Sequence, residues 1–371
     1  MSPEDGRPTP APAPDPEAGS APITVNVLTG FLGSGKTLLL KRLLALPDLS
    51  RTAVLINEFG EVGIDQMLVE TVDEDVVLLQ SGCVCCTIRG DLKDSMVALH
   101  GRMQRGEVPA FDRLVIETTG LADPAPIVAT LTADPVLRYH FRLGNVVTVV
   151  DGIDGERTLD TYAEALHQAA VADRLVISKT DLADPARVAA LRERLAALNP
   201  TAELRLSTET SATPAGLLLD DIHDARAKSA EVERWLAAEA THGVHGQTGG
   251  GDHEHDAVDV NRHGDIRAFC LTAEAPLDWA AFGLWLSMLL NRHGGEILRV
   301  KGLLNITGIE APVVVHGVQH TVHKPEHLAA WPDGDTRTRI VVIARGLDPA
   351  TVERSFRAFN DLGSGQAAST P

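Results

Sequence analysis

Positive charge is in short supply in this chain: 33 Lys and Arg stand against 51 Asp and Glu, a formal net charge of −18. A general nucleic-acid binder or a membrane-surface binder is expected to show a basic face, so both classes are set aside. Long apolar runs are missing as well. No segment approaches the roughly 18 uninterrupted apolar residues that a membrane span needs. Residues Met1 to Ala21 are rich in Pro, Ala and acids, with neither a basic start nor an apolar core. They do not read as a secretory signal and are expected to form a disordered arm, which leaves the cytoplasm as the default compartment. Cysteine is scarce too, being confined to Cys83, Cys85, Cys86 and Cys270. A disulfide framework would spread its cysteines to close loops. Three of these lie within four residues, which points to metal or redox chemistry in a reducing compartment.

What is present is enough for two packed domains, since the chain has 371 residues. Apolar, β-branched runs at 23–29, 53–56, 75–79, 112–117, 145–150 and 173–178 read as buried strands. Helical stretches such as 38–46 and 185–198 separate most of them, and Pro185 suits a first helical position. Strands alternating with helices predict a doubly wound α/β sheet. From about Ala225 the pattern changes. Residues 226–240 look helical and charged, and 241–265 are rich in Gly, His and Asp with no apolar period, as in a linker. Strands at 266–272, 297–306, 312–319 and 339–344, with a helix at 277–292, predict a smaller α+β domain. The last ten residues are expected to be disordered.

Gly30-Phe31-Leu32-Gly33-Ser34-Gly35-Lys36-Thr37 fits G-x-x-x-x-G-K-[ST], between a strand and a helix. Such a loop turns backbone N–H groups toward phosphate oxygens, and the helix N-terminus adds partial positive charge. Lys36 would reach the β- and γ-phosphates and Thr37 would ligate Mg²⁺. Ser178-Lys179-Thr180-Asp181 ends a later strand, where N-K-x-D reads a base. An Asp carboxylate there accepts from guanine N1–H and its amine, donors that adenine lacks, and the Lys179 stem can lie on the base face. Ser178 replaces the usual Asn, which alters one polar contact. Glu117-Thr118-Thr119-Gly120 closes another strand, placing an acid near Mg²⁺ and a glycine N–H at the γ-phosphate. Glu58 and Glu61 follow the second strand and could orient water, ligate Mg²⁺ or complete a second metal site. These alternatives stay open.

Thiolates are soft ligands that favour Zn²⁺, Cu(I) and iron–sulfur clusters. Cys83, Cys85 and Cys86 would leave a tetrahedral Zn²⁺ one ligand short, which suits a site that gives its metal away. Inert burial and a redox pair are the alternatives. Cys270 sits in an apolar strand and reads as a core residue. His242, His245, His253, His255 and His263 lie in the linker, as weak metal ligands or as plain solvated residues. His316, His320, His323 and His327 lack a compact ligand spacing and read as structural.

Five motifs, TGFLGSGKT, NEFGEVGID, SGCVCCTIRGDL, VIETTGLADPAPI and SKTDL, together resemble the CobW-like family of P-loop GTPases, many of which are metallochaperones. ILRVKGLL at 297–304 and IVVIARGLD at 340–348 resemble its C-terminal domain. The resemblance covers about 23–208 and 266–348. It implies GTP and Mg²⁺ at Gly30–Thr37, the acid of the third GTPase motif at Glu117, guanine recognition at Ser178–Asp181, and metal at Cys83, Cys85 and Cys86. It implies slow GTP hydrolysis that gates delivery of zinc, or of cobalt for cobalamin synthesis, to a client metalloprotein. One departure is Leu38, where a second Thr is common. The expected organisation is a disordered arm over 1–21, a P-loop GTPase domain over 22–225, and a helix with His/Gly-rich linker over 226–265. A C-terminal-like domain over 266–361 and a disordered tail over 362–371 complete it. GTP and a client metalloprotein are the expected partners, with a homodimer as an option and neither nucleic acid nor membrane. Two other readings remain: a regulatory GTPase whose cysteine cluster is structural or redox, and, less compatible with SKTD, a small-molecule kinase.

Overall fold

A computed structural model describes residues 22–57, 78–80, 88–208, 216–219, 232 and 266–367. The first sheet is built from β1 (Ile23–Thr29), β2 (Thr52–Asn57), β3 (Leu78–Gln80), β4 (Arg113–Thr118), β5 (Phe141–Asp151), β6 (Arg174–Ser178) and β7 (Glu203–Leu206). All seven pair in parallel, in the order β3-β2-β4-β1-β5-β6-β7. Parallel strands covered by helices on both faces must be apolar on both, and every residue of β1 and of β6 is buried. The helices are α1 (Lys36–Leu44), α2 (Ile88–Gln104), α3 (Ala125–Ala133), α4 (Pro135–His140), α5 (Gly155–Thr161), α6 (Ala163–Val171), α7 (Pro185–Leu198) and α8 (Gly216–Leu219). The doubly wound parallel sheet expected from the sequence is therefore present. Helix α7 begins at Pro185 as expected, with the Asp184 side chain accepting from Ala186 N. Helix α1 starts two residues before the expected 38, because the phosphate loop passes directly into its first turn. Because β1 lies between β4 and β5, their carboxyl ends open a crevice at the point where the strand order reverses, the usual ligand position in such sheets.

The second unit is antiparallel. Strands β8 (Ile266–Ala273), β9 (Ile297–Leu304), β10 (Val313–Val318), β11 (Thr321–Val322), β12 (Glu326–His327) and β13 (Thr338–Arg345) pair in the order β11-β10-β9-β13-β8, with β12 on β10. Helices α9 (Trp279–His293) and α10 (Pro349–Ala367) pack together, Trp285 meeting Phe356 at 5.0 Å between ring centroids. The α+β second domain is thus as expected, with one correction. Residues 362–367 of the expected tail continue α10. Val352 and Phe356 anchor this helix in the core, and each further residue adds a backbone hydrogen bond to a turn already formed. Cys270 is partly buried against Leu303 and Val314, as a core residue should be. Helix 226–240 and the linker lie outside the described residues, apart from Val232, which packs in that same cluster.

The two units share one apolar core, in which Leu298, Val318 and Ile343 join the side chains of α3 and α6. A charged knot sits within it. Arg299 is 1 % exposed and Lys301 0 %, and both cations close on Asp173 of the first unit. Arg299 also donates to Val171 O at 2.7 Å, and Lys301 to Thr201 O at 3.4 Å. Asp173 Oδ2 in turn accepts from Val146 N at 3.0 Å. Burial alone would raise the Asp173 carboxyl. The charges of Arg299 and Lys301 and the Val146 N–H outweigh it and hold the group at about 2. Two buried cations left without their carboxylate carry a large desolvation cost. Asp173→Ala is expected to lower stability by about 3–5 kcal/mol in urea denaturation at pH 7. Because the folded carboxyl lies below its unfolded value, its contribution is complete above about pH 4 and is lost toward about pH 2. The variant's stability should therefore change less than the wild type's across that window.

Candidate nucleotide site

The site begins where β1 ends. Gly30 has φ 141°, and a Cβ there would stand 2.2 Å from Val149 O on β5. Only glycine lets the chain leave β1 this close to its neighbour. The loop then turns with Ser34 N donating to Phe31 O at 3.1 Å, and α1 opens at Lys36 with no acid in its first turn. Its N-terminus is thus left positive toward the loop. Lys36 Nζ donates to Gly30 O at 2.8 Å and Phe31 O at 3.2 Å, both carbonyls of the loop itself. Burial lowers the Lys36 ammonium below its ordinary range, and the charge of Glu117 works against that shift. Ser34 Oγ is buried without a hydrogen-bond partner. A loop holding a desolvated cation and an orphaned hydroxyl is a cradle suited to an anion. Phe31 stacks on Tyr162 at 4.5 Å, while Leu32 and Gly33 stand at the surface.

Register brings the third motif alongside. Glu117 lies opposite Leu28 and Ile56 in β4, is 5 % exposed, and its Oε1 accepts from Thr37 Oγ1 at 2.6 Å. An acid and a hydroxyl so joined present hard oxygen ligands on one spot, the donor set that Mg²⁺ prefers. Gly120 follows on the same edge. A Cβ there would come within 2.6 Å of Leu32 N, so this loop and the phosphate loop touch through their backbones. Gln168 Nε2 of α6 donates to Gly120 O at 3.1 Å and Ala122 O at 3.0 Å, and Gln319 Nε2 of the second unit donates to Asp123 Oδ2 at 3.2 Å.

The Ser178–Asp181 turn completes the edge. Ser178 Oγ donates to Ser34 O at 2.6 Å, with a second acceptor, Val150 O, at 3.3 Å. The hydroxyl that stands for the usual Asn thus ties this turn to the phosphate loop. Lys179 has φ 53°, and its Nζ donates to Asp151 Oδ2 at 2.6 Å. Asp181 is exposed beyond it, in a turn closed by Leu182 N and Ala183 N on Lys179 O. Sequence reasoning missed Asp151 and Gln168. The only sign of Gln168 was a polar residue in the otherwise small and apolar stretch QAAVA.

Glu58, Glu61, Cys83, Cys85, Cys86 and the linker histidines lie outside the described residues, as does the side chain of Asn57. Among the described residues no group of three His, Cys, Asp or Glu could hold a metal, and no helix is long and apolar enough to cross a membrane. His316 is buried and His320 Nδ1 lies 3.0 Å from Leu290 O, in keeping with structural roles.

Residues 24–205 match the model for the CobW/HypB/UreG nucleotide-binding domain, and 266–360 that for the cobalamin synthesis protein CobW C-terminal domain. The zinc chaperone YjiA of Escherichia coli is 30 % identical over 343 residues, covering 90 % of this chain and 98 % of that protein. The zinc-regulated GTPase metalloprotein activator 1 of Schizosaccharomyces pombe is 35 % identical over 190 residues, covering 49 % of this chain and 45 % of that one. The crystal structure of Zn(II)-bound YjiA GTPase from E. coli superposes with a TM-score of 0.66 at 25 % identity, covering 92 % of this chain and 99 % of that one.

The backbone approach at Gly30 is directly testable. Gly30→Ala forces a Cβ into Val149 O and strains the backbone by about 1–3 kcal/mol. A lowered melting temperature and loss of GTP binding in a fluorescence titration are expected. Unchanged binding would contradict the placement of this loop.

Proposed function

The chain belongs to the CobW/HypB/UreG family and is a P-loop GTPase, and from that premise we propose that it is a GTP-dependent metallochaperone. In this reading it loads a transition metal, zinc, on Cys83, Cys85 and Cys86 and hands it to a client metalloprotein. The observation that carries the proposal is the Thr37–Glu117 hydrogen bond, with Gly120 of the loop that follows packed against Leu32 of the phosphate loop. The naming of its relatives as zinc chaperones supports the choice of metal. Strand β3, whose Gln80 pairs with Ile56, ends on this same edge three residues before Cys83.

Gly30, Phe31, Leu32, Gly33, Ser34, Gly35, Lys36 and Thr37 would hold the phosphates. Lys36 would exchange its two loop carbonyls for β- and γ-phosphate oxygens, regaining the solvation that burial took from it. Thr37 and Glu117 fit Mg²⁺, which when bound neutralises charge developing on the β- and γ-oxygens. Ser178 fixes the guanine-reading turn to the phosphate loop, Lys179 lies along the base, and Asp181 accepts from guanine N1–H and its amine. Glu58 and Glu61 stand as further candidates for orienting water or ligating metal. Gly120 would give its N–H to the γ-phosphate and lose that partner on hydrolysis, so that the loop relaxes. Through the phosphate loop and β2, this relaxation would alter the thiolate triad and lower its affinity for metal.

Two outcomes follow. Asp181→Ala should weaken GTP binding by roughly 2–4 kcal/mol while leaving ATP binding as it was, read by titration calorimetry. Zinc affinity should be higher with a non-hydrolysable GTP analogue than with GDP, and should fall at acid pH because three thiolates must be deprotonated to bind. Equal zinc affinity in the two nucleotide states would sink the gating proposal. Retention of zinc by Cys85→Ser would sink the assignment of the triad.

A further inference from the structure

Gln168 has no evident place in an apolar core. It is 0 % exposed, on a helix whose other buried residues are Ala, Leu and Val, and its Oε1 is buried with no hydrogen-bond partner. A glutamine in this state costs stability relative to an apolar side chain of the same volume. What it gains is specific. The amide nitrogen reaches Gly120 O and Ala122 O, the two carbonyls that flank the exposed Leu121. Two carbonyls at hydrogen-bond distance require the donor end of the amide there, which fixes the side chain's orientation.

The helix that carries Gln168 is itself held at several points. Tyr162, its N-cap, stacks on Phe31 of the phosphate loop. Thr148 Oγ1 of β5 donates to Gln168 O at 2.7 Å, and Arg299 holds Val171 O at its last residue. The clamp therefore refers the loop after β4 to a fixed frame. Gln319 of the second unit holds Asp123, three residues beyond Gly120 in the same loop.

We infer that Gln168 is a positioning residue for the nucleotide reaction: it sets the backbone of the loop carrying Gly120, and so the chain's preference for GTP over GDP and its hydrolysis rate. This rests on the reading of Gly120 as the γ-phosphate contact. Gln168 touches no phosphate itself and acts through the two carbonyls it holds. A merely structural role would weaken GTP and GDP binding together, because both nucleotides share the phosphate loop and the guanine-reading turn. A positioning role touches only what depends on the γ-phosphate.

The test uses the full chain with Mg²⁺, comparing wild type, Gln168→Met and Gln168→Asn. Methionine keeps the length without the donors, and asparagine keeps the amide one methylene too short to reach. In both variants GDP affinity should stay within about twofold of wild type. Affinity for a non-hydrolysable GTP analogue should fall about tenfold, the loss of one to two buried hydrogen bonds, and kcat should fall with it. Parallel loss of GDP and GTP binding, including failure of both variants to fold, would overturn the inference in favour of plain packing. Unchanged GTP preference and kcat would overturn it outright. Wild type that shows no preference for the GTP analogue over GDP would instead remove the reading of Gly120, a result visible before any variant is made.

Discussion

Two loops that meet through their backbones govern this molecule. Gly120 lies so close to Leu32 that no side chain fits between them. Neither loop can move by an ångström without the other responding, because packed backbone is not compressible. The phosphate loop is fixed by the strand it leaves and the helix it enters. A shift of the phosphate loop is therefore passed to the loop after β4. Parallel pairing of β1 with β4 makes the contact possible, since it brings Leu28 opposite Glu117 and delivers both chain segments to one edge of the sheet.

The second unit is tied into the same frame. Arg299 and Lys301 bring two positive charges into a buried interface, where Asp173 and the carbonyls of Val171 and Thr201 receive them. Such a knot contributes little net stability compared with apolar packing, but it joins the two units through Asp173, Val171 and Thr201. Asp173 immediately precedes β6, whose far end is Ser178. Val171 ends the helix that carries Gln168. The docking of the second unit thus fixes elements whose other ends hold the nucleotide edge, and Gln319 adds a direct contact to the loop after β4.

Local signals were legible in the sequence and distant ones were not. The phosphate loop, the buried strands and Pro185 as a helix start depend on neighbouring residues, and all fall at or within a few positions of where the pattern put them. ILRVKGLL could be matched to a family but not explained, because the partner of Arg299 lies 126 residues earlier. Gln168 is 48 residues from the carbonyl it holds, and nothing in its surroundings announces that. Ser178 in place of the usual Asn signals an altered polar contact, but the acceptor its hydroxyl finds, Ser34 O in the phosphate loop, lies 144 residues away. The end of α10 was misjudged for a different reason. The last ten residues, 362–371, are expected to be disordered as a chain terminus, yet a helix anchored by Val352 and Phe356 continues to Ala367.

In the proposed reading, loss of the γ-phosphate at the edge shared by Thr37, Glu117 and Gly120 loosens metal held by the three thiolates. Single-turnover hydrolysis of GTP by the zinc-loaded chain, with phosphate release and zinc release to a chromogenic chelator followed together, tests this most directly. Zinc is expected to leave with the rate constant of phosphate release and to stay bound when a non-hydrolysable analogue replaces GTP. Zinc leaving at one and the same rate with either nucleotide would contradict it.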